Sequence, residues 1–294
     1  MAEAPFAVSS GRIYWVDWDG AIRKRNLDGS EVIVVPGGDH RVGGVDAMAA
    51  FDDHLLWNDS VAGLFALNGN QVRSVNLPAG NWAPVATPQG FFARANDTPR
   101  PLVRIDFSDA SAVEMSRESY SGWEICATKR LIAISGTSLR VIRLLESPPV
   151  EATLLSALSL DEISCSNDDL VGFSSDPDGG TLIHVSLLNG DSRTIAFVPY
   201  WSSYRANAIV GDSVFVLFGV ARWPDGWRPE GEQGTYLMRL IRYSLRGGAK
   251  ARVIDSWIGC PGVIHANGGH VFWTDPCEGV LNRIGPYASV KSST

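Results

Sequence analysis

Apolar positions along this chain fall in short runs punctuated by Gly, Asp or Asn. No stretch carries ten or more residues with a 3.6-residue apolar period and helix caps, so strands and tight turns are predicted throughout. The first unit shows the pattern: Phe6 to Ser10 reads as strand a, Arg12 to Asp17 as strand b, Ala21 to Leu27 as strand c and Glu31 to Val35 as strand d. Asp28-Gly29 is a turn pair between the last two.

The unit recurs. Aligned on the start of strand b, the anchors are Ile13, Leu55, Phe91, Leu131, Leu170, Val214 and Val271, at spacings of 42, 36, 40, 39, 44 and 57 residues. Later units run from Val45 to Leu77, Ala83 to Ser116, Trp123 to Ser156, Asp161 to Phe197, Arg205 to Asp255, and Val263 to the end. Four short strands per period of about 40 residues is the repeat of a propeller blade. The expectation is all-β: one domain over residues 1–294, a seven-bladed β-propeller of four-stranded antiparallel blades, with six blades as the alternative count. Thirty glycines and ten tryptophans fit a turn-rich β chain, and a hydrophobic share of 45% leaves ample side chains for a core.

Two units carry a more specific signature. The first reads Tyr14-Trp15-Val16-Asp17 followed by Ile22-Arg23-Lys24-Arg25-Asn26-Leu27-Asp28-Gly29; the last reads Phe272-Trp273-Thr274-Asp275 followed by Val280-Leu281-Asn282-Arg283-Ile284. Unit two keeps Leu56-Trp57-Asn58-Asp59, and units three to six keep only the period. The pattern resembles YWTD-type propellers, and bacterial extracytoplasmic propellers are the closer likeness. The resemblance implies architecture and no particular activity.

A net charge of -7 repels phosphate backbones, and no basic cluster exceeds Arg23-Lys24-Arg25, which argues against nucleic acid. The longest apolar run, Val214 to Ala221, is too short to span a bilayer as a helix. The start Met1-Ala2-Glu3-Ala4-Pro5 lacks the basic and apolar regions of a signal peptide but is compatible with a processed mature end. A monomer is expected.

Cys126 and Cys165 each stand five residues before a strand-b anchor, where other units have Val8, Ala50, Ala86, Ile209 and Ala266. They are expected to be reduced core thiols filling a small apolar slot. Cys260 precedes strand a of the last unit and Cys277 follows its strand b; in a meander those loops share a face, so a disulfide is expected there. A bridge places the chain outside the reducing cytosol, secreted or periplasmic.

Nucleophile-elbow, Walker, zincin and Rossmann motifs are absent. His54 and His270 fall in a–b turns and are expected to be solvated, while His265 lies within an inner strand. Carboxylates and amides fill the b–c loops, the ordinary chemistry of turns. Ser174-Ser175-Asp176-Pro177-Asp178-Gly179 falls short of a calcium loop, so no cofactor is expected.

The aromatics point to a ligand face. Trp82, Trp123, Trp201 with Tyr204, and Trp257 stand at entrances to strands a, and Trp223 and Trp227 lie in the long b–c loop of unit six. The meander puts both loop sets on one face, with Arg205, Asp161 and His265 as nearby polar groups. The first reading of function is a non-enzymatic binding module for a glycan, peptide or protein. The alternative is a propeller lyase or metal-dependent lactonase with Asp46, Glu124, Asp161, Arg205, Asn207 and His265 at the channel mouth.

Overall fold

The computed structural model describes residues 5–17, 19–26, 29–39, 41–78, 80–95, 102–115, 124–146, 149–176, 179–199, 202–220, 236–247, 250–260, 262–275 and 277–287. Within these, the side chains of 175, 176, 179, 198, 199, 202–205 and 220 lie outside the description.

Among the described residues, twenty-seven strands follow one another in consecutive antiparallel meanders. Sheet one is β1–β4 (Phe6–Ser9, Arg12–Val16, Ile22–Asn26, Glu31–Val35) and sheet two β5–β8 (Val45–Phe51, His54–Asp59, Gly63–Asn68, Gln71–Ser74). Sheet three is β9–β12 (Trp82–Thr87, Gly90–Ala95, Val103–Ile105, Ala112–Glu114) and sheet four β13–β16 (Glu124–Ala127, Leu131–Ser135, Leu139–Arg143, Val150–Leu155). Sheet five is β17–β20 (Asp161–Ser166, Asp169–Asp176, Gly179–Ser186, Ser192–Pro199) and sheet six β21–β24 (Ser202–Val210, Ser213–Val220, Tyr236–Ser244, Arg252–Gly259). Sheet seven has three strands among the described residues, β25–β27 (Ile264–Asn267, His270–Asp275, Val280–Ile284). The fold is a seven-bladed β-propeller, without a helix among the described residues. All seven expected anchors fall on the second strand of a sheet.

Contacts group the chain into two compact units, residues 1–137 with 141–152, and 138–140 with 153–294. In the first unit β1 lies beside β5, β5 beside β9 and β9 beside β13. Successive side chains of a strand point to opposite faces, and here both faces meet a neighbouring sheet. On β6, Leu55 and Trp57 pack with Tyr14 and Ile22 of sheet one, whereas Leu56 packs with Phe91 and Ile105 of sheet three. On β10, Phe91 turns toward sheet two, and Phe92 joins Ile132, Ile134 and Ile142 of sheet four. A strand buried on both faces reads as a continuous apolar run, the pattern the sequence shows. Each of these aromatic side chains contributes about 2–3 kcal/mol by leaving water.

The second unit repeats the scheme, with β17 beside β21 and β21 beside β25. On β22, Val214 and Val216 pack with Val171 and Phe173 of sheet five, and Phe215 and Leu217 pack with Val271 and Trp273 of sheet seven.

Cys260 and Cys277 form the expected disulfide, their Cα atoms 5.3 Å apart across a separation of 17 residues. Cys126 and Cys165 correct the sequence reading. Both are disulfide-bonded, and no cysteine is free. The small apolar slot occupied in the other sheets suits a half-cystine as well as a thiol, so burial alone does not separate the two.

Candidate functional site

The motif carboxylates are taken up by the architecture. Asp59, at the end of β6 and 1% exposed, accepts the backbone N–H of Gly44 at 2.6 Å, of Val61 at 2.9 Å and of Ala62 at 2.8 Å. Asp275, in the same place on β26, accepts the N–H groups of Cys260 at 3.2 Å and Cys277 at 3.1 Å. Asp17 pairs with Arg23 at 2.5 Å. The motif tryptophan of sheet two is held likewise, the Trp57 indole donating to the Arg41 carbonyl at 2.7 Å. Tyr14 is fully buried, and burial, with the charge of Asp53, pushes its phenol up to about 12.

Of the expected ligand-face residues, Trp123, Trp201, Trp223 and Trp227 lie outside the described residues, and Tyr204 and Arg205 are described by backbone alone, on β21. Trp82 belongs to the core, and Trp257 packs half-buried at its margin. Trp82 is 2% exposed and its indole donates to the Pro78 carbonyl at 3.0 Å; Trp257 lies on β24, its ring 6.4 Å from that of Trp273. Asp161 opens β17, and His265 is half-buried on β25.

Two polar groups of the enzymatic alternative, Asp46 and Asn207, are engaged locally. Asn58 donates to Asp46 at 2.8 Å. Ser164 donates to the Asn207 carbonyl oxygen, and the Asn207 amide donates to the Glu162 carbonyl. Among the described residues no group of three or more His, Cys, Asp or Glu is placed to hold a metal ion.

A cleft of about 440 Å³ does form, in the first unit, at the end of sheet three opposite to the expected face. It is built by short turns. Between β9 and β10, buried Thr87 accepts the N–H of Gln89 at 3.1 Å and donates to the Gly90 carbonyl at 3.1 Å. Gly90 has φ +134°, and a Cβ there would stand 3.0 Å from the Ile105 carbonyl. Glycine lets the turn close against β11, where the Arg104 Nε donates to the Gln89 carbonyl at 3.0 Å.

The turn between β11 and β12 forms the next wall. The Asp106 carboxylate accepts the Ser108 N–H at 2.7 Å and the Ser108 hydroxyl at 2.5 Å, which together hold it below the usual carboxylate range. Phe107 then projects toward sheet two. Its ring stacks on His54 at 4.5 Å and on Phe51 at 5.7 Å, and meets Phe91 edge-on at 4.8 Å. The sequence predicts a solvated His54; packing on Phe107 instead half-buries it. His270 does keep turn geometry, its Nδ1 3.1 Å from the Gly268 carbonyl. The other end of the cleft is apolar, lined by Phe92, Met115, Leu144 and Pro149.

Two buried polar atoms in this cleft lack partners, His54 Nδ1 and Gln89 Oε1. The Gln89 amide nitrogen donates to the Lys129 carbonyl at 3.1 Å, which identifies the free end as an acceptor. A buried unsatisfied group costs about 1–3 kcal/mol and calls for a functional account. Sequence reasoning missed this site because its groups come from turns of three sheets. The one legible signal is Phe107, a large aromatic inside the polar turn Asp106-Phe107-Ser108-Asp109.

No family model matches the chain, and no curated protein matches it in sequence. Among solved structures it is similar to virginiamycin B lyase from Staphylococcus aureus, with TM-score 0.65 and 14% identity over 94% of this chain and 92% of that one. The computationally designed Ika8 protein gives 0.61 at 10% identity, covering 96% of each chain. BamB from Moraxella catarrhalis gives 0.55 at 12% identity over 95% of this chain and 92% of its own. Likeness at such identity establishes a shared β-propeller fold, on which unrelated functions are built.

Proposed function

We propose that this chain is a non-enzymatic, extracytoplasmic binding propeller that takes a peptide, protein or glycan ligand. The observation that carries the reading is the cleft of the first unit, where a stacked aromatic pair stands beside polar atoms that the fold leaves unpartnered. The disulfides support a location outside the reducing cytosol. The aromatic segment holding Trp223 and Trp227, outside the described residues, enters the proposal as a separate ligand surface.

The test is a panel of immobilised peptides and glycans, together with pull-down, using the full chain. Saturable binding without turnover is expected. Replacing Trp223 and Trp227 together by Ala should weaken a ligand of that surface by about 2 kcal/mol while leaving the melting temperature unchanged. Chemical conversion of a bound compound, or metal copurifying at stoichiometric level and required for binding, would overturn the non-enzymatic reading.

A further inference from the structure

We infer that the cleft beside Arg104 captures the C-terminal residue of a peptide, one with an apolar side chain and a free carboxylate; this inference rests on the binding function proposed above. Three features of the cleft match three groups of such a residue.

The first is a fixed cation. The Arg104 Nε is held by the Gln89 carbonyl at 3.0 Å, which sets the plane of the guanidinium. Asp106, on the same cleft, feels the Arg104 charge without forming an ion pair with it, so the terminal nitrogens of the planar fork stay open to a carboxylate among the described residues. The second is the Gln89 Oε1, a buried acceptor with no donor, which an amide N–H next to that carboxylate would satisfy. The third is the apolar end, where Met115 and Leu144 pack at the margin of the Phe92 cluster and still line the cleft.

A fatty acid would answer the first and third features and leave Gln89 unsatisfied. A free amino acid would answer all three but make no use of the far end. There the flat His54–Phe107 stack, with the unpartnered His54 Nδ1, offers a face and a hydrogen-bonding group to the preceding residue. The geometry therefore favours a chain end over a single amino acid.

Titration calorimetry on the full chain tests this with N-acetyl-alanyl-leucine, its C-terminal amide and free leucine. The acid should bind about tenfold or more tightly than either of the others. Arg104→Gln should erase the preference for acid over amide, and Gln89→Leu should weaken the acid while keeping that preference. Thermal melts establish that each variant is folded. If Arg104→Gln does not fold, Arg104→Lys, which keeps charge but loses the fork, should reduce the preference. Equal binding of acid and amide, an unchanged preference in the folded Arg104 variant, free leucine binding as tightly as the peptide, or no binding by any of the three would each overturn the inference. In those cases ligands found by the broader panel leave the binding function standing, whereas a silent panel removes both.

Discussion

Sheets two and three share a scaffold, and their polar groups do different work at its two ends. In sheet two Asp59 is almost fully buried and collects three backbone N–H groups, and Asn58 donates to Asp46. In sheet three the polar groups sit on the turns at the other end, and Gln89 Oε1 there, like His54 Nδ1 beside it, is buried without a partner. At the motif end Asp59 and Asp275 hold loop backbone to the blade, while Asn58 Oδ1 and Trp273 Nε1 stay buried without a partner inside the packing. At the opposite end the orphaned Gln89 and His54 atoms belong to residues that line a cleft. A buried polar atom without a partner therefore points to candidate function where its residue also lines a cleft, and not by itself.

The two carboxylates Asp59 and Asp106 give the sharpest test. Asp59→Ala should destabilise the protein by about 4 kcal/mol, since it strands several backbone donors in a buried place. The difference would be read from urea unfolding; a loss under about 1 kcal/mol would break the contrast. Next in size, removing the Cys260–Cys277 bridge by paired Ser substitutions should cost about 3 kcal/mol, as expected for a closed loop of this length. Non-reducing unfolding curves of the variant and the parent check it.

Gly90→Ala comes third, at about 1–2 kcal/mol, because φ +134° suits only glycine and the Ile105 carbonyl blocks a Cβ. It should also weaken ligand binding in the cleft, measurable by calorimetry, by displacing Gln89 and Arg104. The smallest effect concerns pH. The Ser108 hydroxyl and N–H lower the pKa of Asp106 in the folded state, so the unfolded chain binds the proton more readily. The associated stability is present above the ordinary aspartate pKa of about 4 and is lost as pH falls through the lower folded value. Ser108→Ala should therefore be less stable than the parent at about pH 6, with the gap narrowing as pH falls below about 4, in paired unfolding curves.

The fold was largely legible because propeller strands buried on both faces leave short continuous apolar runs between tight turns. Leu55, Leu56 and Trp57 mark a strand in the sequence for the same reason that they pack on two sides in the structure. Strand limits in sheet one agree to within a residue or two, as with Ile22–Asn26 against the expected Ala21 to Leu27. The site was not legible. His54 and Phe107 are more than fifty residues apart in sequence, and their stacking depends on adjacent sheets bringing two turns together. Trp82 misled for a related reason: an indole at a strand entrance has the same sequence signature whether it faces a ligand or, as here, the Pro78 carbonyl. The Cys126 and Cys165 slots likewise predict burial and say nothing about oxidation.

Asp59 and Asp275 stand on strands, yet the N–H groups they hold belong to the loops on either side: Gly44 before β5, Val61 and Ala62 after β6, Cys260 before β25 and Cys277 after β26. The root of each loop is thus clamped by a residue that is not itself part of the loop. Val61 gives the clamp only its N–H and leaves its side chain exposed, so that position is suited to randomisation. Selection for new surface chemistry can act there while the strand carboxylate keeps the loop root in place.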